Sequence, residues 1–203
     1  ASCSSVFLLQ RAGLLAGRTV TTSWWLAGAL RGLAPTCCVD GRRMVCDDGD
    51  VVTAGGSTAQ GDLMLYLMRR RWGSPLADRV GRALMTELRP SQAVFVIPAA
   101  QAGSDVMVQR LTALIDQTLP ASPSVKVLAA SLAISERTLA RRVKAATGES
   151  PLALIQSVRL HRAQRLIEDS QLSVADIARE VGFEDPSALR RLLKQAGGIT
   201  PSG

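Results

Sequence analysis

From Ser124 onward, apolar and charged positions follow a helical period, and they do so twice. At about 100° per residue, Leu139, Val143 and Ala146 fall on one side of a helix while Arg137, Arg141 and Lys144 fall on the other. Further on, Leu189, Leu193 and Ala196 form the inward stripe of a second helix, and Ser187, Arg191 and Lys194 the outward one. Each of these helices has a shorter one ahead of it. Ser124 is placed to cap a helix carrying Val127, Leu128 and Leu132 inward; a break follows at Ala133-Ile134, and Ser135 caps the next helix. In the second copy Ser173 and Asp176 read as a capping box, Gly182 marks the break, Asp185 caps, and Pro186 takes the first helical position. Short helix, tight turn and longer helix are the outline of a helix-turn-helix.

The residues themselves repeat. Ser124-Val-Lys-Val-Leu-Ala is answered by Ser173-Val-Ala-Asp-Ile-Ala. Leu139-x-Arg141-x-Val143-Lys144, with Gly148 and Ser150-Pro151, is answered by Leu189-x-Arg191-x-Leu193-Lys194, with Gly198 and Thr200-Pro201. Two copies are too few for a solenoid and describe two linked motifs. Between them, Pro151 to Glu168 reads as one helix of about 18 residues, roughly 27 Å long. Leu152, Ile155, Val158, Ala163, Leu166 and Ile167 are spread round it, as suits a strut packed by a motif at each end. Such a strut could set two helices into successive major grooves, about 34 Å apart.

The first half is patterned differently. An apolar helix is predicted over 6–15, a strand over 18–25, and two short strands over 44–46 and 51–53 joined by the turn-forming Asp47-Asp-Gly-Asp. Helices are predicted over 58–72 and 78–88, then one from about 105 to 119 before a linker that ends at Pro123. The expected organisation is a partial α/β domain over 1–98, a helix and linker over 99–123, and an all-α domain over 124–203.

Charge gives the outward stripes a partner. The net charge is +7, with 12 basic and 9 acidic side chains up to residue 119 and 12 and 8 after it, so the total does not locate a site. From Glu136 to Arg165, however, seven Arg or Lys stand against two Glu. A single cationic stripe is ordinarily a solvated helix face. Two stripes at the same phase behind the same turn point instead to double-stranded DNA. Arginine's planar fork fits the guanine edge, so Arg137 and Arg141, with Thr138 beside them, are the candidate base contacts of one unit and Ser187 and Arg191 those of the other. Lys144, Arg190 and Lys194 are candidates for phosphates.

Other features exclude more than they suggest. No apolar run reaches the length of a membrane span, and Arg11, Arg18 and Arg31 interrupt the most apolar region, so a soluble, cytoplasmic chain is expected. The apolar start lacks a basic leader, and Ala1 is no initiator, which reads as a missing N-terminus rather than a signal peptide. Cysteines at 3, 37, 38 and 46 match no zinc spacing and fit a reducing compartment; no metal and no cofactor is predicted. Gly55-Gly56 reads as a turn rather than a phosphate cradle, Asp47, Asp48 and Asp50 as a hairpin rather than a calcium loop, Arg69 to Arg71 as a basic helix end, and Trp24 and Trp25 as core. His161, the one histidine, is expected on a solvated side of the strut with Ser157, Gln164 and Glu168.

The paired Arg-Lys-Gly-Pro signatures, with Ile177-Ala178-x-x-Val181-Gly182-Phe183 between them, resemble the DNA-binding domain of the AraC/XylS-type transcription regulators over about 80 residues. Leu189 and Leu193 stand where that family usually has Phe. Residues 1 to about 98 resemble the later half of a PfpI-like class I glutamine amidotransferase-like domain, through Cys3 with Phe7-Leu-Leu, Thr21-Thr-Ser-Trp24, Asp48-Gly-Asp-Val-Val-Thr53 and Ser91-Gln-Ala93. The resemblances imply a sequence-specific regulator, whether activator or repressor, controlled by a small nitrogenous effector. They also imply a homodimer when the N-terminal domain is complete, and contact with RNA polymerase. Cys3 falls at the nucleophile-elbow position, but Ser23 stands where the family has His and cannot act as general base near neutral pH. No catalytic residue is therefore assigned. The alternative is a Cys-dependent amidase or glyoxalase-like enzyme fused to a DNA-binding domain. Half of a parallel sheet would leave edges and an apolar face uncovered, which predicts disorder or aggregation in residues 1–98.

Overall fold

The computed structural model describes residues 1–103 and 105–197. The chain divides into two compact units, Ala1–Gln92 and Ala93–Gly203, six residues before the expected boundary at 98.

The first unit contains α1 (Val6–Arg11), β1 (Thr19–Val20), α2 (Ala27–Leu33), β2 (Cys38–Val39), β3 (Val45–Asp48), β4 (Val51–Ala54), α3 (Ala59–Trp72) and α4 (Ser74–Ala83). β1 and β2 pair in parallel across α2, with Thr19 opposite Cys38, while β3 and β4 form an antiparallel hairpin with Val45 opposite Ala54. The expected strand over 18–25 thus shrinks to two residues. Beyond it, Thr21, Thr22 and Ser23 are fully buried and bond through side chains: Thr21 Oγ1 donates to the Arg43 carbonyl and Thr22 Oγ1 to that of Cys3. Side-chain bonding of this kind competes with the ladder. The hairpin matches its prediction, and its turn is fastened to α3 by the Tyr66 hydroxyl (2.6 Å) and Arg70, both donating to Asp47.

Three further expectations need correction. α1 stops at Arg11 rather than running to Leu15, because residues 12–17 turn back through Gly13 and Gly17, both at positive φ. The helix expected over 78–88 lies at Ser74–Ala83, started by Pro75 in its first turn. Disorder is not what this unit shows, since Val6, Leu15, Val20, Ala27, Leu30, Ala34, Val39 and Val51 close into a core of their own. The expected uncovered apolar surface is nonetheless there: Leu8, Leu33, Trp25 and Trp72 are at least half exposed. Trp24 and Trp25 meet edge to face at 5.4 Å, but Trp25 is not core.

The second unit contains α5 (Pro98–Gln101), α6 (Val106–Thr118), α7 (Val125–Ser131), α8 (Glu136–Thr147), α9 (Pro151–Asp169), α10 (Val174–Glu180) and α11 (Pro186–Ala196). α9 is shared between two cores. Its first half contributes Leu154, Ile155 and Val158 to a cluster with Val108, Leu111, Ile115, Leu128, Leu139 and Val143. Its second half gives Leu160 and Ala163 to a cluster with Ile177, Val181, Leu189 and Leu193. In region 99–123 the expected helix is α6, which forms one wall of the first cluster. The buried Arg159 guanidinium stacks 4.9 Å from the centre of the Phe183 ring, tying α9 to the turn after α10. Two inward assignments fail: Val127 and Leu152 are 52% and 61% exposed; Leu128 is buried as expected, with Ala129 beside it, and Leu154 is the residue that α9 buries.

Asp105 joins α6 to α8. Its carboxylate accepts from the backbone N–H of Met107 and Val108, capping α6, and also from Arg142 at 2.8 and 3.2 Å. Losing both roles in Asp105→Ala is expected to lower stability by about 1–2 kcal/mol, whereas Asp105→Asn, which can still cap, should lose less than about 1 kcal/mol. Urea unfolding of the two variants checks this; equal losses would mean that the cap contributes nothing.

Candidate nucleic-acid interface

The two turns are built alike. Ala133 and Gly182 occupy matching positions with φ of 53° and 82°, and the next residue in each donates its N–H five residues back, Ile134 to Ala129 (3.0 Å) and Phe183 to Ala178 (2.8 Å). Ser135 Oγ then accepts from Thr138 N to start α8, and Asp185 Oδ1 from Ser187 N to start α11. The Asp185 carboxyl is held below the usual range, first by the Ser187 backbone N–H and further by Arg191 and Arg190. At Ser173 the capping box is half made: its hydroxyl accepts from Asp176 N and donates to the Asp176 carboxylate, which therefore does not reach back to the backbone.

These starts fix the rotation of both helices. Leu139 and Val143 on α8, and Leu189 and Leu193 on α11, are at most 1% exposed. Arg137, Arg141 and Lys144 stand exposed on the far side of α8, as do Ser187, Arg190, Arg191 and Lys194 on α11. Among the described residues, Arg137, Arg141, Arg190, Arg191 and Lys194 have no ion pair or side-chain hydrogen bond within the chain, so each is free for an outside acceptor. Two candidates are already engaged. Lys144 Nζ donates to the Gly148 carbonyl at 2.8 Å, and the half-buried Thr138 shares a 2.9 Å hydroxyl contact with Ser135. The left-handed C-caps fall at Gly148 and Gly197. Gly198, Thr200 and Pro201 of the repeat signature lie outside the described residues.

Residues 128–203 match the helix-turn-helix domain family. The C-terminal unit thus carries a helix-turn-helix domain. The whole chain is similar to the HTH-type transcriptional regulator GlxA of Rhizobium meliloti (strain 1021), at 32% identity over 212 residues, covering 96% of this chain and 62% of GlxA. It is also similar to the HTH-type transcriptional regulator CdhR of Pseudomonas aeruginosa (strain PAO1), at 28% identity over 199 residues, covering 96% of this chain and 59% of CdhR. It thus spans about three-fifths of the length of these relatives. Among solved structures it is similar to the DNA-binding domain of AdpA in complex with a target DNA, with 37% identity, a TM-score of 0.41, and coverage of 44% of this chain and 81% of that one.

Outside the helix-turn-helix domain, the other chemically pointed position is Cys3. Ser2 bridges Ala54 in parallel, Cys3 takes a φ of 52°, and a helical turn follows at once, so the thiol stands at a strand-to-helix elbow. Ser23 Oγ donates to Cys3 Sγ at 3.0 Å, and Ser57 Oγ lies 3.8 Å away. Burial works to raise the thiol, but hydrogen bonds from Ser23, Ser57 and Ser4 outweigh it and hold Cys3 below its ordinary value. A hydroxyl can polarise the thiol and cannot take its proton near neutral pH; the unit contains no histidine. The neighbouring Thr21-Thr22 loop is held by the buried Gln92 amide, which donates to the Thr22 carbonyl at 2.7 Å.

His161 departs from its expected place. It is half buried, and Ser157 beside it is 4% exposed, so this side of α9 is solvated only toward the exposed Glu168. No helix of the described residues is long and apolar enough to cross a membrane, and no group of three His, Cys, Asp or Glu among them could hold a metal.

Proposed function

We propose that this chain belongs to a sequence-specific transcription regulator whose α8 and α11 enter successive major grooves of one DNA duplex. The observation that carries the reading is the pair of free cationic faces, set at the same phase behind the same turn at the two ends of α9. With 19 residues, α9 spans about 28 Å, close to the groove repeat of about 34 Å. Arg137 and Arg141 reach base edges in one groove, and Ser187 and Arg191 in the other, while Arg190 and Lys194 position phosphates. Lys144 joins them only by releasing Gly148, and Thr138 contributes chiefly by fixing the start of α8. The first unit, PfpI-like and with Ser23 in place of a base, acts as a non-catalytic sensing or dimerising part. The small nitrogenous effector, the homodimer, contact with RNA polymerase and cytoplasmic residence belong to this same reading.

Selection of bound duplexes from a random pool tests it. Two enriched clusters about one helical turn apart are expected, and enrichment of a single cluster or of none would refute the bipartite reader. On the selected site, Arg141→Ala and Arg191→Ala should each cost about 1–3 kcal/mol and relax one base position, in different clusters. Lys194→Ala should weaken all sequences alike and reduce the salt slope by about one. Cys3→Ser should leave the selected sequence and its affinity unchanged.

A further inference from the structure

One cavity of the C-terminal unit has no role in reading DNA as described above. It lies between α6 and α9 and holds about 290 Å³. One wall is apolar, formed by Ile97, Pro98, Ala113 and Val158; the other carries His161, Arg162 and Arg165 within little more than one turn of α9. Asp116 is the single carboxylate at the lining. Among the described residues neither Arg162 nor Arg165 has an ion pair or side-chain hydrogen bond within the chain, so two arginines line the same recess with one acid. The imidazole of His161 is held below its usual pKa, first by burial and then by Arg165, with Asp116 on α6 and Glu168 on α9 pulling the other way. At neutral pH it therefore offers a neutral N–H donor beside the two cations rather than a third charge.

Two guanidiniums facing a single carboxylate leave a net positive charge that selects an acid group with at least two oxygens, which they can grip in forked geometry. The apolar wall selects a hydrocarbon body, and the volume, at the small end for ligand sites, limits that body to a few carbons. We infer that this cavity binds a small amphipathic organic anion, its acid group on Arg162 and Arg165 and its hydrocarbon against Ile97, Pro98 and Val158. A duplex phosphate would use the cations but leave the apolar wall without an occupant. Since α9 is the strut between α8 and α11, a ligand that ties α9 to α6 stiffens the element that sets their spacing. The inference does not depend on the DNA-reading proposal.

The test uses the whole chain. His161 is its only histidine, so the imidazole proton signals in an NMR spectrum report this cavity without further assignment. Hexanoate and hexyl phosphate serve as amphipathic probes, with hexanol and inorganic phosphate as their separate halves. Saturable movement of the His161 signals is expected with at least one amphiphile, and binding weaker by roughly tenfold or more for each half alone. A preference for hexanoate identifies a carboxylate ligand, and a preference for hexyl phosphate a phosphate ester. The Arg162→Ala/Arg165→Ala double variant should lose roughly tenfold or more in affinity. The comparison of probes on the unaltered chain stands even if that variant fails to fold. Lack of saturable movement with either amphiphile overturns the proposal, as does equal binding of hexanol or of inorganic phosphate. Movement of the His161 signals by a duplex and not by the amphiphiles would make this a DNA-backbone contact and also overturn it.

Discussion

Gly182→Ala is expected to destabilise the second helix-turn-helix by about 2–4 kcal/mol, while Ala133→Gly, at the matching position of the first, should stabilise its own unit by up to about 1 kcal/mol. Both residues sit in the left-handed region, and both turns close with the same backbone bond. What differs is the space around them. Ala133 is exposed, so its methyl group meets little, and the residue bears only the cost of its backbone conformation. At Gly182 a Cβ would stand 2.6 Å from the Pro120 carbonyl oxygen and 3.2 Å from the Arg159 guanidinium. The carbonyl belongs to backbone and cannot swing away. The guanidinium is buried against Phe183 and can move only by giving up that contact. An alanine therefore adds a clash to the conformational cost, and relief of the clash must displace Pro120 or the turn itself. Urea unfolding gives the overall loss, and hydrogen exchange locates it: the amides of α10 and α11 should lose protection while those of α7 and α8 keep theirs. A loss at Gly182 no larger than about 0.5 kcal/mol would mean that Pro120 does not pack on this turn in solution.

How far the sequence reveals this architecture depends on the range of the interaction concerned. The recognition helices are legible because a three-turn helix with two Leu or Val four residues apart admits only one inward phase, and Leu139, Val143, Leu189 and Leu193 are all buried accordingly. Their caps, and that of α7, are legible because Ser135, Asp185 and Ser124 bond within three residues. A seven-residue helix has under two turns, so its apolar residues fit several phases, and Val127 lies outside for that reason. α2 is hidden by Gly28 and Gly32, which lower helix propensity in a segment held by burial of Ala27 and Leu30. The sheet of the first unit is hidden because Thr21 to Ser23 satisfy themselves through distant partners. Nothing local announces the Asp105–Arg142 pair, whose members are 37 positions apart, or the cavity that brings Asp116 to His161. The candidate contact faces and the apolar stripes behind them are therefore readable, and the long-range contacts that hold them in place are not.

Leu154→Ala should cost about 2–5 kcal/mol, and Leu152→Ala, two positions earlier on the same helix, should stay within about 0.5 kcal/mol of the parent. The contrast follows from the rotation of α9. Leu154 is wholly buried among Val108, Leu111, Leu128 and Leu139, whereas Leu152 is 61% exposed. Removing the Leu154 side chain leaves a cavity where α6, α8 and α9 share one core, and the close-packed neighbours can fill it only in part. The damage should reach DNA binding, because Leu139 lies in that same cluster and sets the direction in which Arg137 and Arg141 point. In the random-pool selection the Leu154→Ala chain should accordingly retain the sequence cluster read by α11 and blur the one read by α8. Loss of both clusters together would mean that the two ends of α9 are not separate cores, and that the strut and both motifs fold or fail as one.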